Sequence, residues 1–175
     1  MDPIDIDYIK LIPPNAFPLF GSDAVRGAAG GPWDRFKMSF SRHYVYRSIE
    51  TVLKNDSAWD ETPLFAKSDD QQRFESRCSE IEELIESIHN HGYQSELYRS
   101  ESPLNDGRHE IGSATIPDEI IVGMDRKGRL IHLRGGRHRL AISQVLGIEE
   151  IPVVLSLYHP QATKKIPEPI RSIPT

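Results

Sequence analysis

Helical and strand-like spacings of apolar residues alternate along this chain. Over 71–91, Phe74, Cys78, Ile81, Leu84, Ile85 and Ile88 fall on one face of a 3.6-residue period, which predicts an amphipathic helix. Ser68, Asp69 and Asp70 offer oxygen caps to its first amides, and Gly92 offers a left-handed stop. A second helix is predicted over 42–54 from Val45, Ile49, Val52 and Leu53, with Asn55, Asp56 and Ser57 ending the pattern. Residues 93–98 read as one short strand, and 119–124 and 129–133 as two more, joined by Asp125, Arg126, Lys127 and Gly128 in a hairpin connection. Gly135 and Gly136 then open a helix whose apolar face holds Leu140, Ala141, Val145 and Ile148, closed by Gly147. A last strand is predicted over 151–157, with Pro152 near its start, where a missing donor is tolerated.

The flanks break both periods. Residues 1–34 carry Pro3, Pro13, Pro14, Pro18 and Pro32 among several glycines, yet also Ile9, Leu11, Ile12, Phe17, Leu19 and Phe20, so they read as an arm that packs on the body. Residues 160–175 hold four prolines and read as an extended tail. The expected organisation is therefore one domain over 71–159, an N-terminal arm and helix over 1–70 packed on it, and a Pro-rich tail from 160. The polar stretch 100–117 is long for a loop inside a compact domain, and such loops are commonly functional. The fold class is α/β (α+β): a small mixed sheet with helices and extended N- and C-terminal arms.

Composition narrows the chemistry. Cys78 is the only cysteine among 175 residues, which excludes an internal disulfide and a Cys-rich zinc site. It also falls on the apolar face of its helix, where a thiol serves as a small core residue. His89 and His91 are two apart on that helix and point to different sides; His43, His109, His132 and His159 stand apart, so no metal spacing emerges. No apolar run reaches the ~18 residues of a membrane span, and the first residues lack a basic signal, so the expected address is the cytoplasm. A formal charge of −5 disfavours a general polyanion binder. Yet 125–139 holds six basic residues and one acid, a local +5 that reads either as solvated hairpin rungs or as an anion site.

The junction Gly135-Gly136-Arg137-His138-Arg139 favours the second reading. A helix start presents unpaired amide donors and a positive dipole end, and residues without side chains allow an anion close to the backbone. Arg137 and Arg139 add forked donors matched to phosphate oxygens, and His138 can donate a hydrogen bond or a proton.

GGRHRLAISQVLGIEEIPVVL at 135–155 resembles the glycine-rich box of the ParB/sulfiredoxin superfamily, and IEELIESIHNHGYQSEL at 81–97 is similar to the first box of ParB amino-terminal domains. The likeness spans about residues 79–158. It implies a small α/β domain that binds a nucleotide phosphate at the second box, in a superfamily that includes sulfinic-acid reduction, free-serine phosphorylation and CTP-driven clamping on DNA. Arg137 stands where sulfiredoxins resemble one another in carrying a reactive cysteine, so this is not a sulfiredoxin. It stands equally where CTP-hydrolysing ParB proteins carry a glutamate. Gly136, His138 and Arg139 are what the resemblance transfers.

The expected function is nucleotide binding through Gly135, Gly136, Arg137, His138 and Arg139, with Gln94 and Ser95 as further nucleotide neighbours. Its enzymatic form is an ATP-dependent kinase of a small hydroxyl-bearing molecule, using ATP or CTP with Mg²⁺. Glu96 would take the hydroxyl proton and His138 would assist. Asp106, His109 and Glu110 would form a lid. Two alternatives stay open: a non-catalytic nucleotide-responsive regulatory or interaction module, and a nucleic-acid-associated ParB-like protein using the basic stretch. Homo-oligomerisation through the terminal arms is a further expectation, and a membrane partner is not.

Overall fold

A computed structural model of the chain describes residues 7–9, 27–28, 30–35, 37–94 and 119–165. Its described elements are mixed α and β. Strands β1 (Asp7–Ile9), β2 (Gly27–Ala28) and β3 (Lys37–Ser39) precede helices α1 (Tyr44–Asn55) and α2 (Gln71–His91); β4 (Ile121–Met124), β5 (Leu130–Arg134), α3 (Arg137–Val145) and β6 (Val154–Tyr158) follow. The chain divides into two compact units that interleave along the sequence. A helical unit has its described residues at 39–94 and 136–152, and a sheet unit at 7–9, 27–28, 30–35, 37–38, 119–135 and 153–165.

In the sheet unit the strand order is β2-β6-β4-β5-β1-β3. The expected hairpin forms: β4 and β5 pair antiparallel, while β6 runs parallel to β4, β1 parallel to β5, and β2 parallel to β6. All four residues of β4 are buried, as an unbroken apolar run in a central strand requires. Pairing steps from Val122↔Leu155 to Gly123↔Leu157, so β6 carries one extra residue, Ser156. That bulge lets Leu157 join Trp33, Ile131 and Leu133 in one apolar cluster while Leu155 joins Met124, Leu130, Tyr158 and Ala162 in another. Gly123 is where the first cluster is tightest, since a Cβ there would lie 3.1 Å from Trp33 Cη2 and 3.3 Å from Leu133 Cδ1.

Three sequence expectations are corrected here. The N-terminal arm is not free of sheet: β1 and β2 are strands of three and two residues, too short to show a period among prolines and glycines. The last strand begins at Val154 and not at Ile151, because Pro152 has no donor for the ladder. The Pro-rich tail starts as a 3-10 helix, Pro160–Lys165, for which His159 Nδ1 accepts the Gln161 amide at 3.2 Å.

The helical unit holds the other core. α2 spans the residues its apolar spacing predicts, with Asp70 Oδ1 accepting the Arg73 amide at 3.0 Å and Gly92 in the left-handed region at φ 71°. Phe74, Cys78, Ile81 and Ile88 are buried, and Leu84 and Ile85 half-buried. α1 starts two residues later than expected, because Phe40–Arg42 forms a 3-10 turn and the His43 ring, not Arg42, caps the helix through Nδ1 and the Val45 amide. Ser48 ties α1 to the following loop: its hydroxyl donates to the Tyr44 carbonyl at 2.8 Å and accepts the Leu64 amide at 2.9 Å. α3 packs against both α1 and α2 and buries four consecutive residues, Leu140, Ala141, Ile142 and Ser143, so it is enclosed on more than the one face that its periodicity indicates. Tyr93 and Gln94 are not in a strand, and the remainder of the predicted 93–98 strand lies outside the described residues. No helix among the described residues is long and apolar enough to cross a membrane.

Two consequences are measurable. Gly123→Ala must push into the buried Trp33 ring, and the expected loss of about 1–3 kcal/mol would be read as a lower midpoint in urea unfolding. Burial, then Glu82 and Glu75, pushes the Cys78 thiol up to about 11, so alkylation of the native protein at pH 8 is expected to be on the order of 100-fold slower than for an unperturbed thiol. Iodoacetamide labelling followed by mass spectrometry, with and without urea, measures that ratio.

Candidate functional site

Consecutive left-handed residues mark the start of α3. Gly135 has φ 68° and Gly136, the N-cap, has φ 50° and ψ 24°. A side chain at either position would be strained, which explains why glycine occupies both. The buried histidine His132 donates from Nε2 to the Gly135 carbonyl at 2.7 Å, fixing which ring nitrogen carries the proton and holding the turn. The first helical turn closes through the Leu140 amide and the Gly136 carbonyl at 2.8 Å.

Sequence-predicted site residues thus stand as follows. Gly135 through Arg139 form one continuous strand-to-helix turn, with Gly136 buried, His138 and Arg139 half-buried, and Arg137 exposed. Gly136, His138 and Arg139 all take part in contacts of the protein's own. Arg137 has no ion-pair or hydrogen-bond partner among the described residues. Gln94 is exposed, two residues past Gly92. Ser95, Glu96, Asp106, His109 and Glu110 lie outside the described residues. Among the described residues no group of three or more His, Cys, Asp or Glu is placed to hold a metal ion.

The rest of the basic stretch has a use that sequence reasoning missed. Arg126 does not stand in solvent as a hairpin rung. Its Nη2 and Nε donate to the two carboxylate oxygens of Asp34 at 2.6 and 2.7 Å, its amide to Asp34 Oδ2 at 3.1 Å, and Nη2 also to the Gly31 carbonyl at 3.1 Å. Asp125 is as crowded. Its Oδ1 accepts the amides of Lys127 and Arg129, both at 2.8 Å, while Oδ2 accepts Lys37 Nζ at 2.5 Å and Arg129 Nε at 3.0 Å. Both carboxylate side chains are 2% exposed.

Burial alone would raise the Asp125 carboxyl, but the Lys37 hydrogen bond, the Arg129 amide and the two cations overcome it and hold the group at about 2. Burial likewise opposes ionisation of Asp34, and the Arg126 hydrogen bonds and charge, with His159 further off, bring it below the ordinary carboxylate range. A signal for Asp125 existed in the sequence, since Asp at the head of a turn before Lys and Gly commonly accepts amides two residues on. Asp34 offered none beyond its neighbour Trp33.

The chain matches no protein-family model, no curated protein and no solved structure.

The acid network sets a pH limit. A lowered carboxyl means that the unfolded chain takes up the proton first, so the stabilisation is complete above the ordinary value of 3.8 and is lost as pH falls through about 2. The expected loss is about 2 kcal/mol for Asp125. Asp125→Asn should lower stability at pH 7 and flatten that acid limb, which urea titrations at pH 7, 4 and 2.5 would show. An unchanged acid limb in the variant would mean that another group carries it.

Proposed function

We propose that the turn opening α3 binds the phosphate of a nucleotide, and that its enzymatic form is transfer of the terminal phosphoryl group of ATP to a small hydroxyl-bearing molecule. One observation carries the reading: two successive left-handed glycines, the second an N-cap without a side chain, followed in the first turn by Arg137, exposed and without an ion-pair or hydrogen-bond partner among the described residues. The resemblance of 135–155 to a ParB/sulfiredoxin glycine-rich box supports the same ligand.

In this reading Arg137 and Arg139 hold phosphate oxygens, His138 donates to them, and Mg²⁺ travels with the nucleotide. The substrate hydroxyl oxygen forms a bond to the terminal phosphorus, the bond to the bridging oxygen breaks, ADP leaves with that oxygen, and the hydroxyl proton passes to Glu96. The nucleic-acid alternative loses support from the basic stretch, because Arg126 and Arg129 are engaged with Asp34 and Asp125.

Calorimetry with ATP and CTP, with and without Mg²⁺, tests the site. A charged hydrogen bond is worth about 1.5–3 kcal/mol, so Arg137→Ala should weaken binding about 10- to 100-fold, and Arg139→Ala should abolish it while the melting temperature shows the fold intact. Unchanged affinity in both variants removes the site. Release of ADP in the presence of serine-like hydroxyl metabolites would establish turnover; saturable binding without release would make the turn a regulatory switch.

A further inference from the structure

Another place in the molecule gathers cations that form no ion pair among the described residues. In the helical unit, the first turn of α1, the loop through Leu64 and Lys67, and the first two turns of α2 enclose a groove of about 280 Å³. Tyr44 lines it together with the buried Leu64 and Phe74. Lys67, Arg73 and Arg77 line the same groove.

Arg73 and Arg77 are four residues apart on α2, on one face, where two like charges destabilise an isolated helix. Acids are near, Asp69, Asp70 and Glu80 among them, yet none makes an ion pair with either arginine among the described residues. Asp69 and Asp70 also line the groove, but the Asp70 carboxylate is spent on the Arg73 amide and reaches neither guanidinium. Glu75 accepts from Gln71 Nε2 at 2.8 Å, and Glu82 from Trp59 Nε1 at 2.8 Å. Neither arginine side chain has an ion pair or hydrogen bond among the described residues. Lys67 Nζ stands 5.2 Å from the Tyr44 ring centroid, a cation over an aromatic face. The one exposed large apolar residue among the described residues, Phe65 at 39%, sits two positions before Lys67 and meets Phe74 edge-on at 5.1 Å.

We propose that this groove is a binding site for a small organic oxyanion, a phosphate or carboxylate carried on an apolar or aromatic body. Lys67, Arg73 and Arg77 receive the oxyanion, since forked guanidinium donors match either group. Tyr44, Leu64 and Phe74 receive the body. The volume is near the lower end of small-molecule sites, roughly 300 Å³ upward, which suits a single ring with one charged substituent. The site is separate from the turn opening α3 and does not rest on the nucleotide reading.

The test uses the full chain, titrated with phenyl phosphate and with phenylacetate, and with inorganic phosphate and phenol as probes of each half alone. Saturable binding of at least one aryl anion is expected, with amide resonances of residues 67–77 shifting, and with inorganic phosphate and phenol at least tenfold weaker. Whichever aryl anion binds more tightly names the oxyanion. The double variant Arg73→Gln, Arg77→Gln should weaken that binding at least tenfold, and Arg137→Ala should leave it unchanged. Three results overturn the proposal: no saturation by either aryl anion at millimolar concentration, equal affinity in the double variant, or loss with Arg137→Ala alone. Equal binding of inorganic phosphate overturns the role given to the apolar wall. Because the resonance shifts are read on the unmodified protein, a poorly folded variant does not leave the question open.

Discussion

Two carboxylates buried in the sheet unit are the constraint on which its arrangement depends. A carboxylate removed from water is tolerated only if cations and amide donors replace the lost hydration. Asp34 and Asp125 meet that condition with Arg126, Lys37, Arg129 and three backbone amides. The partners come from distant parts of the chain, Lys37 from β3 and Arg126 from the β4–β5 turn, so satisfying the charges also fixes which segments lie side by side. Apolar packing tolerates small shifts; a forked guanidinium on a carboxylate tolerates far less.

The same pairing sorts the basic stretch. A local excess of positive charge at 125–139 appears uniform in the sequence, but in the folded chain Arg126 and Arg129 are consumed internally, while Arg134 and Arg137, on either side of the glycine pair, have no partner among the described residues. Charge density along a chain therefore overstates what is on offer to a ligand. What remains of that stretch without a partner among the described residues flanks Gly135 and Gly136.

Legibility in the sequence followed element length and the locality of the signal. α2 could be read to the residue, since six apolar positions lie within its own span and two caps directly flank it. The β4–β5 hairpin and the glycine start of α3 were legible for the same reason: turn chemistry is local. β1 and β2 were not, being too short to carry a period. The pairing of Asp34 with Arg126, 92 positions apart, was not either, because nothing in composition says which of many acids meets which of many bases. Of the proposed site, the sequence marks the turn through its glycine pair, but not the left-handed conformation of both residues, and Glu96 and Ser95 lie outside the described residues.

The interleaving of the two units bears on how the protein is made. β6 lies between β2 and β4, yet it is synthesised after every other described strand and after all three helices. Until it emerges from the ribosome, β2 and the hairpin have no common neighbour, and the nascent sheet presents open edges on both sides of the gap. The helices can assemble as soon as residue 145 is out, whereas the sheet waits for residue 158, so its central edges stay unpaired over that interval.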